Sequence, residues 1–226
     1  MQLSNHVGMS FLRRWLLFFT AALPVLFYST VLQAEQTADQ GSVQLRNFIR
    51  EVQQAQGLFT QQTVSAEGKA QAEQSGQFAF NRGAGQFRWQ VDTPYEQLIL
   101  ADGEHLIQYD PDLSQATQRG LEEAVGNSPA AILFGSRRID DGFELKDRQA
   151  ADGLQWLRAT PKGTEVGFQY VDMGFQDGLP ARLLIMDGFG QRTTIELKEI
   201  KPGVELPTEL FKFEAPEGVD VINLQP

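Results

Sequence analysis

The sequence predicts a mainly β protein: an incomplete, strongly curved antiparallel β-barrel, a half-barrel of about 11 strands covered by short α-helices. Three observations predict it. Five Asp-Gly pairs, at 102–103, 141–142, 152–153, 177–178 and 187–188, each stand close to a strand-like run, and short turns between neighbouring runs imply antiparallel pairing. One amphipathic helix precedes the strands and one short apolar helix interrupts them. A long antiparallel sheet with helices in those two places curves strongly and takes the helices over its concave side.

The elements follow in order. Residues 1–34 differ from the rest: Arg13 and Arg14 precede the uncharged run WLLFFTAALPVLFYSTVLQA, and the small Ala34 stands before polar EQTADQ. This is the pattern of a Sec-type secretory leader cut near Ala34, with Leu32 where a smaller residue is usual. The run is also long enough for a membrane anchor. Either way the globular part, residues 35–226, lies outside the cytoplasmic membrane as one domain. Asp39 to Gln56 reads as an amphipathic helix, with Leu45, Phe48, Ile49 and Val52 on one face and Gly57 to stop it.

Strand-like runs then follow at Leu58–Ala66, Ala72–Asn81, Gln86–Asp92, Gln97–Ala101, His105–Asp110, Gln115–Gly120, Phe143–Arg148, Leu154–Thr160, Glu165–Met173, Leu179–Asp187 and Gln191–Ile200. Within them, SGQFAFNRGAGQFRWQV reads as a hairpin. Phe78 and Phe80, then Phe87, Trp89 and Val91, stand two apart, so their rings group along its faces, and Arg82 sits at the tip. Leu98-Ile99-Leu100 is apolar at every position, so alternation does not assign its faces. The interruption, GNSPAAILFGSRR, has Ser128 to cap a helix, Pro129 at its first position and Gly135 to end it.

Composition excludes several functions. The chain has no cysteine, so it has no disulfide, no thiolate chemistry and no lipidated cysteine of its own. Removal of the leader takes Arg13 and Arg14 and no acid, moving the net charge from −10 to −12, which opposes nucleic-acid binding. His105 is the one histidine beyond the leader and has few collaborators for general-base work. The acidic pairs Glu122-Glu123 and Asp140-Asp141 are adjacent in sequence and so do not share a face. Asp110-Pro111-Asp112 lacks calcium-loop spacing and reads as a solvated turn. No phosphate-binding loop, dinucleotide fingerprint or nucleophile elbow is present. The expectation is a protein that is not an enzyme and uses no metal or cofactor. What remains is apolar surface in a curved sheet under a lid.

Seven stretches carry a resemblance that spans the chain beyond the leader. They are LFTQQTV (58–64), GQFAFNR through FRW (76–89), TPYEQLILADGEHLIQYDP (93–111), QAT (115–117), GNSPAAIL (126–133), LRATPK (157–162) and FKFEAPEGVDV (211–221). In this order they resemble the outer-membrane lipoprotein carrier family. The resemblance implies a monomeric periplasmic chaperone. It would take acylated lipoproteins from an ABC transporter of the inner membrane, shield their acyl chains in a hydrophobic cavity, and deliver them to a lipoprotein receptor on the outer membrane. It implies a lid-closing, gating role for Arg82, although RGAGQF departs from the family's proline after that arginine and adds a turn residue. It places Phe87, Trp89 and Ile99 in the cavity, with Leu45, Ile49, Ala131, Ile132 and Leu133 at lid positions. The alternative is an envelope sensor or adaptor that detects lipid or lipoprotein with the same half-barrel.

Overall fold

A computed structural model describes residues 40–121, 133, 139–149, 152–163 and 167–224. The leader, Ala34, Glu122-Glu123, and Ser128, Pro129, Ala131, Ile132 and Gly135 of the second predicted helix lie outside the described residues; Leu133 is described, helical and buried.

Helix α1 (Gln40–Glu51) leads into twelve strands: β1 (Gln54–Val64), β2 (Gln74–Asn81), β3 (Gln86–Thr93), β4 (Gln97–Asp102), β5 (His105–Asp110), β6 (Gln115–Gly120), β7 (Phe143–Arg148), β8 (Gln155–Pro161), β9 (Phe168–Gln176), β10 (Leu179–Asp187), β11 (Arg192–Pro202) and β12 (Asp220–Asn223). A short helix α2 (Ile139–Gly142) precedes β7, and a 3-10 turn, Arg82–Ala84, joins β2 to β3. The strands form one sheet in the order β12-β6-β5-β4-β3-β2-β1-β11-β10-β9-β8-β7. Every pairing is antiparallel except β12 on β6. The sheet ends in two edge strands, β7 and β12, so the barrel is open as expected.

The Asp-Gly pairs mark turns as their residue types require. Four lie between successive strands of the sheet, and Asp177 and Gly178 both take positive φ (51° and 81°) in the two-residue turn between β9 and β10. The pair at 141–142 ends α2 instead.

Three departures have physical causes. The helix stops at Glu51, and β1 starts at Gln54 rather than Leu58, because Gln54 and Ala55 pair with Asn81 and Phe80. The ladder overrides the helical periodicity there. Gly57 is therefore no helix stop: it lies in a β-bulge, where a Cβ would come within 2.8 Å of the Phe78 ring. The twelfth strand escapes sequence reasoning because four residues in a polar context, paired in parallel with a strand far back in the chain, carry no turn signal.

The concave face holds the main core. α1 lies on β7–β10 and inserts Leu45, Phe48 and Ile49 between inward residues such as Leu157, Met173, Phe175, Leu183 and Leu197. Its N-terminal end sits directly on the β8 backbone: a Cβ on Gly41 would collide with the Trp156 carbonyl. Asp147 of β7 receives both the Ser42 N–H (2.7 Å) and the Ser42 hydroxyl (3.0 Å), placing a carboxylate where the helix dipole favours one. A second, smaller core lies on the convex face. There the C-terminal segment lays Phe213 against Leu98, Leu100, Ile107 and Tyr109. This resolves the all-apolar Leu98-Ile99-Leu100: Leu98 and Leu100 face outward under the C-terminal segment, and Ile99 faces inward. No helix among the described residues is long and apolar enough to cross a membrane.

Replacement of Gly41 separates packing from intrinsic propensity. Alanine at a helical site is favoured over glycine by about 1 kcal/mol. The contact with β8 reverses the sign, and Gly41→Ala is expected to lower unfolding free energy by about 1–3 kcal/mol in urea titration. A stabilised variant would contradict this docking of α1.

Candidate functional site

The hairpin of β2 and β3 brings its rings to one face. Phe80 pairs with Phe87 and Phe78 with Trp89 across β2–β3, and Trp89 in turn pairs with Ile99 on β4. Side chains on paired inward positions point to the same side. Trp89 stacks on Phe59 of β1 with centroids 3.7 Å apart, and lies 6.0 Å from Phe78 and 6.3 Å from Phe87. Phe80 turns its ring to Phe48 of α1 at 6.1 Å, edge to face, and Phe48 meets Phe175 at 6.4 Å.

Arg82 ends this row. It directly follows β2, is only 9 % exposed, and its carbonyl receives the N–H of Gly85, which takes the left-handed φ of 66°. A guanidinium that far from water needs acceptors. Its backbone N–H donates to the Gln53 carbonyl at 2.8 Å. Nε donates to the Val52 carbonyl at 3.3 Å and Nη2 to the Leu133 carbonyl at 2.9 Å. The cation also lies 5.2 Å from the Phe80 ring centroid and 5.6 Å from that of Phe48. Val52 and Gln53 follow the last turn of α1, where helix carbonyls lack partners and the dipole is negative, so Arg82 caps that end. The end of α1 and Leu133, from a distant part of the chain, thus meet on one side chain.

Two more polar contacts hold α1. Asp147 takes its first turn, as described, and Arg46 donates to Asp140 of α2 at 2.8 Å. The Arg46 hydrogen bond keeps the Asp140 carboxyl below the usual carboxylate range, against a weak opposing effect of burial.

The described residues singled out from the sequence come together in a single apolar cluster. Leu45, Ile49, Phe87 and Leu133 are buried in it, and Trp89 and Ile99 are partly buried against it. Leu45 and Ile49 are packed between α1 and the sheet in this closed arrangement. The covering is uneven. Under α1 Leu157, Met173, Phe175 and Leu183 are covered, whereas along β3–β5 the inward Trp89, Ile99 and Leu106, like Phe143 and Leu145 on β7 and Ile185 on β10, keep part of their surface open, and inward Gln108 is exposed.

Sequence reasoning missed several partners. The Val52 and Gln53 carbonyls are backbone groups, which no residue type announces. Asp147 and Ser42 are 105 positions apart and carry no motif. Phe48 and Phe80, which flank the guanidinium, were legible as apolar positions but not as its shelf.

The other titratable candidates have local roles. Burial would raise the Asp102 carboxyl, but N–H groups of His105 and Glu104 donate to it and hold it below its usual range; His105 Nδ1 lies 3.6 Å from it. Asp110 accepts the Leu113 N–H in the β5–β6 turn. Among the described residues, no group of three or more His, Asp or Glu side chains is placed to hold a metal ion.

Comparison with known proteins bears on the same residues. Residues 50–214 match the family described as "Outer membrane lipoprotein carrier protein LolA". An outer-membrane lipoprotein carrier protein of Bordetella avium is 48% identical over 187 residues, covering 83% of this chain and 89% of the relative. The corresponding protein of Bordetella pertussis is 45% identical over 203 residues, covering 90% and 96%. Among solved structures, an uncharacterized conserved protein of Thermus thermophilus superposes with a TM-score of 0.51 at 14% identity, covering 81% of this chain and 99% of that one, a likeness of fold alone.

Arg82→Lys keeps the charge and loses the fork that reaches two carbonyls. It is expected to destabilise by about 1.5–3 kcal/mol, the contribution of a hydrogen bond to a charged group. Amide exchange at the C-terminal turn of α1 should quicken at the same time. Unchanged exchange would mean that Arg82 does not cap that helix.

Proposed function

This chain belongs to the outer membrane lipoprotein carrier protein family, LolA, and from that premise we propose that it carries acylated lipoproteins by burying their lipid chains against the concave, aromatic face of the sheet. The observation that carries the reading is the pairing of a latch with an incompletely covered apolar surface. Arg82 ties α1 to the Leu133 segment, and beside it Trp89, Ile99 and Leu106 face inward without being sealed.

The finer reading is a periplasmic cycle. The leader ending near Ala34 takes the chain across the inner membrane, an ABC transporter there hands over the lipoprotein, and a receptor at the outer membrane receives it. Nothing in the cycle requires a bond to be made or broken. The sensor alternative has no observation in its favour over this one.

Release is the energetic problem. Each buried methylene contributes about 0.8 kcal/mol, so one chain with roughly 14 buried methylenes gains on the order of 11 kcal/mol gross. Several such chains fully buried would pass the limit of roughly 18–21 kcal/mol reached by non-covalent complexes. Some opposing contribution must hold affinity in a range that permits delivery. Two charge-assisted bonds from Arg82, worth about 1.5–3 kcal/mol each, favour the closed, empty state against the open, loaded one. Rings suit the task because they present stiff apolar area without demanding partner geometry.

Three outcomes are expected. Purified mature protein added to spheroplasts should release lipoproteins from the inner membrane, and failure to release any would contradict the carrier role. Phe87→Glu, by placing a carboxylate among the rings, should abolish recovery of lipoprotein with the carrier; normal recovery would move Phe87 out of the binding surface. Arg82→Leu should alter loading or delivery rates by at least about tenfold, since 1.4 kcal/mol is a factor of ten. Wild-type rates would remove the latch.

A further inference from the structure

The concave face is not apolar along its whole length. On β1 the inward positions run Ala55, Gly57, Phe59 and then Gln61 and Thr63. The same change occurs on the neighbouring strands: Phe80, Phe78 and Gly76 give way to Gln74, Ala101 and Ile99 to Gln97, and Leu197 and Ile195 to Thr193. Gln61 pairs with Gln74 and Thr63 with Thr193, while Gln61 also pairs with Ile195 and Gln97 with Val91, so the change is staggered from strand to strand. Amides and hydroxyls of β11, β1, β2 and β4 therefore gather in an interrupted band at the end of the bowl opposite Arg82, with Val91 of β3 and Ile185 of β10 keeping apolar positions among them. Gln61 Nε2 donates to Gln74 Oε1 at 2.7 Å, the Thr63 and Thr193 hydroxyls lie 2.8 Å apart, and Gln97 Nε2 donates to Asp110 Oδ2 at 3.3 Å. Of the side chains in these contacts, the carboxylate of Asp110 is the one charge, at the far edge.

We propose that this band is a head-group subsite: it holds the ester and amide carbonyls that join the acyl chains to the cargo peptide, and it orients the chains with their free ends toward Arg82. The assignment rests on the carrier reading. An acylated peptide is an amphiphile, and its linking carbonyls need hydrogen-bond donors wherever its chains are buried. The Gln61–Gln74 contact uses one of the four N–H bonds carried by the two amides, which leaves donors for a ligand. Neutral donors match neutral esters without the salt dependence of a charged site. The opposite end offers less: the Arg82 guanidinium already donates to the Val52 and Leu133 carbonyls, and the inward positions around it are Phe80, Phe87 and Ala101. On β11, β1, β2 and β4 polarity thus has one direction along the bowl, and a cargo that matches it lies one way round.

The probe is a synthetic peptide whose N-terminal cysteine carries a diacylglyceryl thioether. A benzophenone side chain is placed at Gln97, in the band, or at the partly buried Leu106, at the Arg82 end. After illumination, mass spectrometry reads which part of the probe was captured. Position 97 should capture the glyceryl or peptide part, and position 106 the acyl chain. The reverse pattern, or chain captured at both positions, overturns the assignment.

A second measurement uses affinity. Gln61→Leu with Gln74→Leu should weaken binding of the lipopeptide roughly fivefold to tenfold, the effect of about one net hydrogen bond. It should leave binding of the headless hydrocarbon probe diphenylhexatriene unchanged. Equal loss for both probes would make the band merely structural and overturn the subsite. Wild-type protein that takes up diphenylhexatriene but no lipopeptide would remove the carrier reading itself; lipopeptide bound the other way round removes only its orientation.

Discussion

A buried guanidinium constrains much of this molecule. Arg82 stands at the mouth of an apolar bowl, where water cannot satisfy it, and only carbonyls that nothing else uses can take its place. The end of a helix supplies such carbonyls by its nature, and α1 ends where the guanidinium reaches Val52 and the Arg82 backbone N–H reaches Gln53. Another guanidinium acceptor, Leu133, belongs to a different part of the chain. One side chain thus joins the end of α1 to a distant part of the chain. Loss of either carbonyl would leave a buried cation short of a partner.

The helix α1 has a second role that follows from where it rests. Gly41 lets its first turn touch the β8 backbone, Asp147 holds the Ser42 N–H and hydroxyl, and Arg46 reaches Asp140. Its apolar face packs on the bowl over β7–β10. The concave surface along β3–β5 receives less cover, and there Trp89, Ile99 and Leu106 remain partly open. The same sheet thus has a part packed under α1 and a part along β3–β5 where inward apolar side chains stay partly open.

Much of the fold was legible because its signals are local. Asp-Gly pairs announce turns through their tolerance of positive φ, and alternation announces strands through the pleat. The rings of the β2–β3 hairpin were readable as a group for the same reason. Where a long-range ladder competed with a local pattern, the ladder prevailed: the helix gave up Val52–Gln56 to the approach and start of β1, and Gly57 became a bulge rather than a cap. The candidate site was legible as residue types, Arg82 and the aromatic positions, and not as contacts. The acceptors of Arg82 are backbone atoms, and the clamp on Ser42 comes from a strand 105 residues away.

By itself, the sequence determined that strands would pair antiparallel between tight turns, that one amphipathic helix would seek a sheet, and that no thiol would take part in any chemistry. Those outcomes depend on backbone conformation and on residue type, which neighbours in the chain suffice to set. Only the tertiary structure decided which face of Leu98-Ile99-Leu100 met the bowl, which part of the concave surface lay under α1, and which carbonyls Arg82 would find. Each of those depends on register between distant strands, and register is settled only when the whole sheet buries its apolar faces at once.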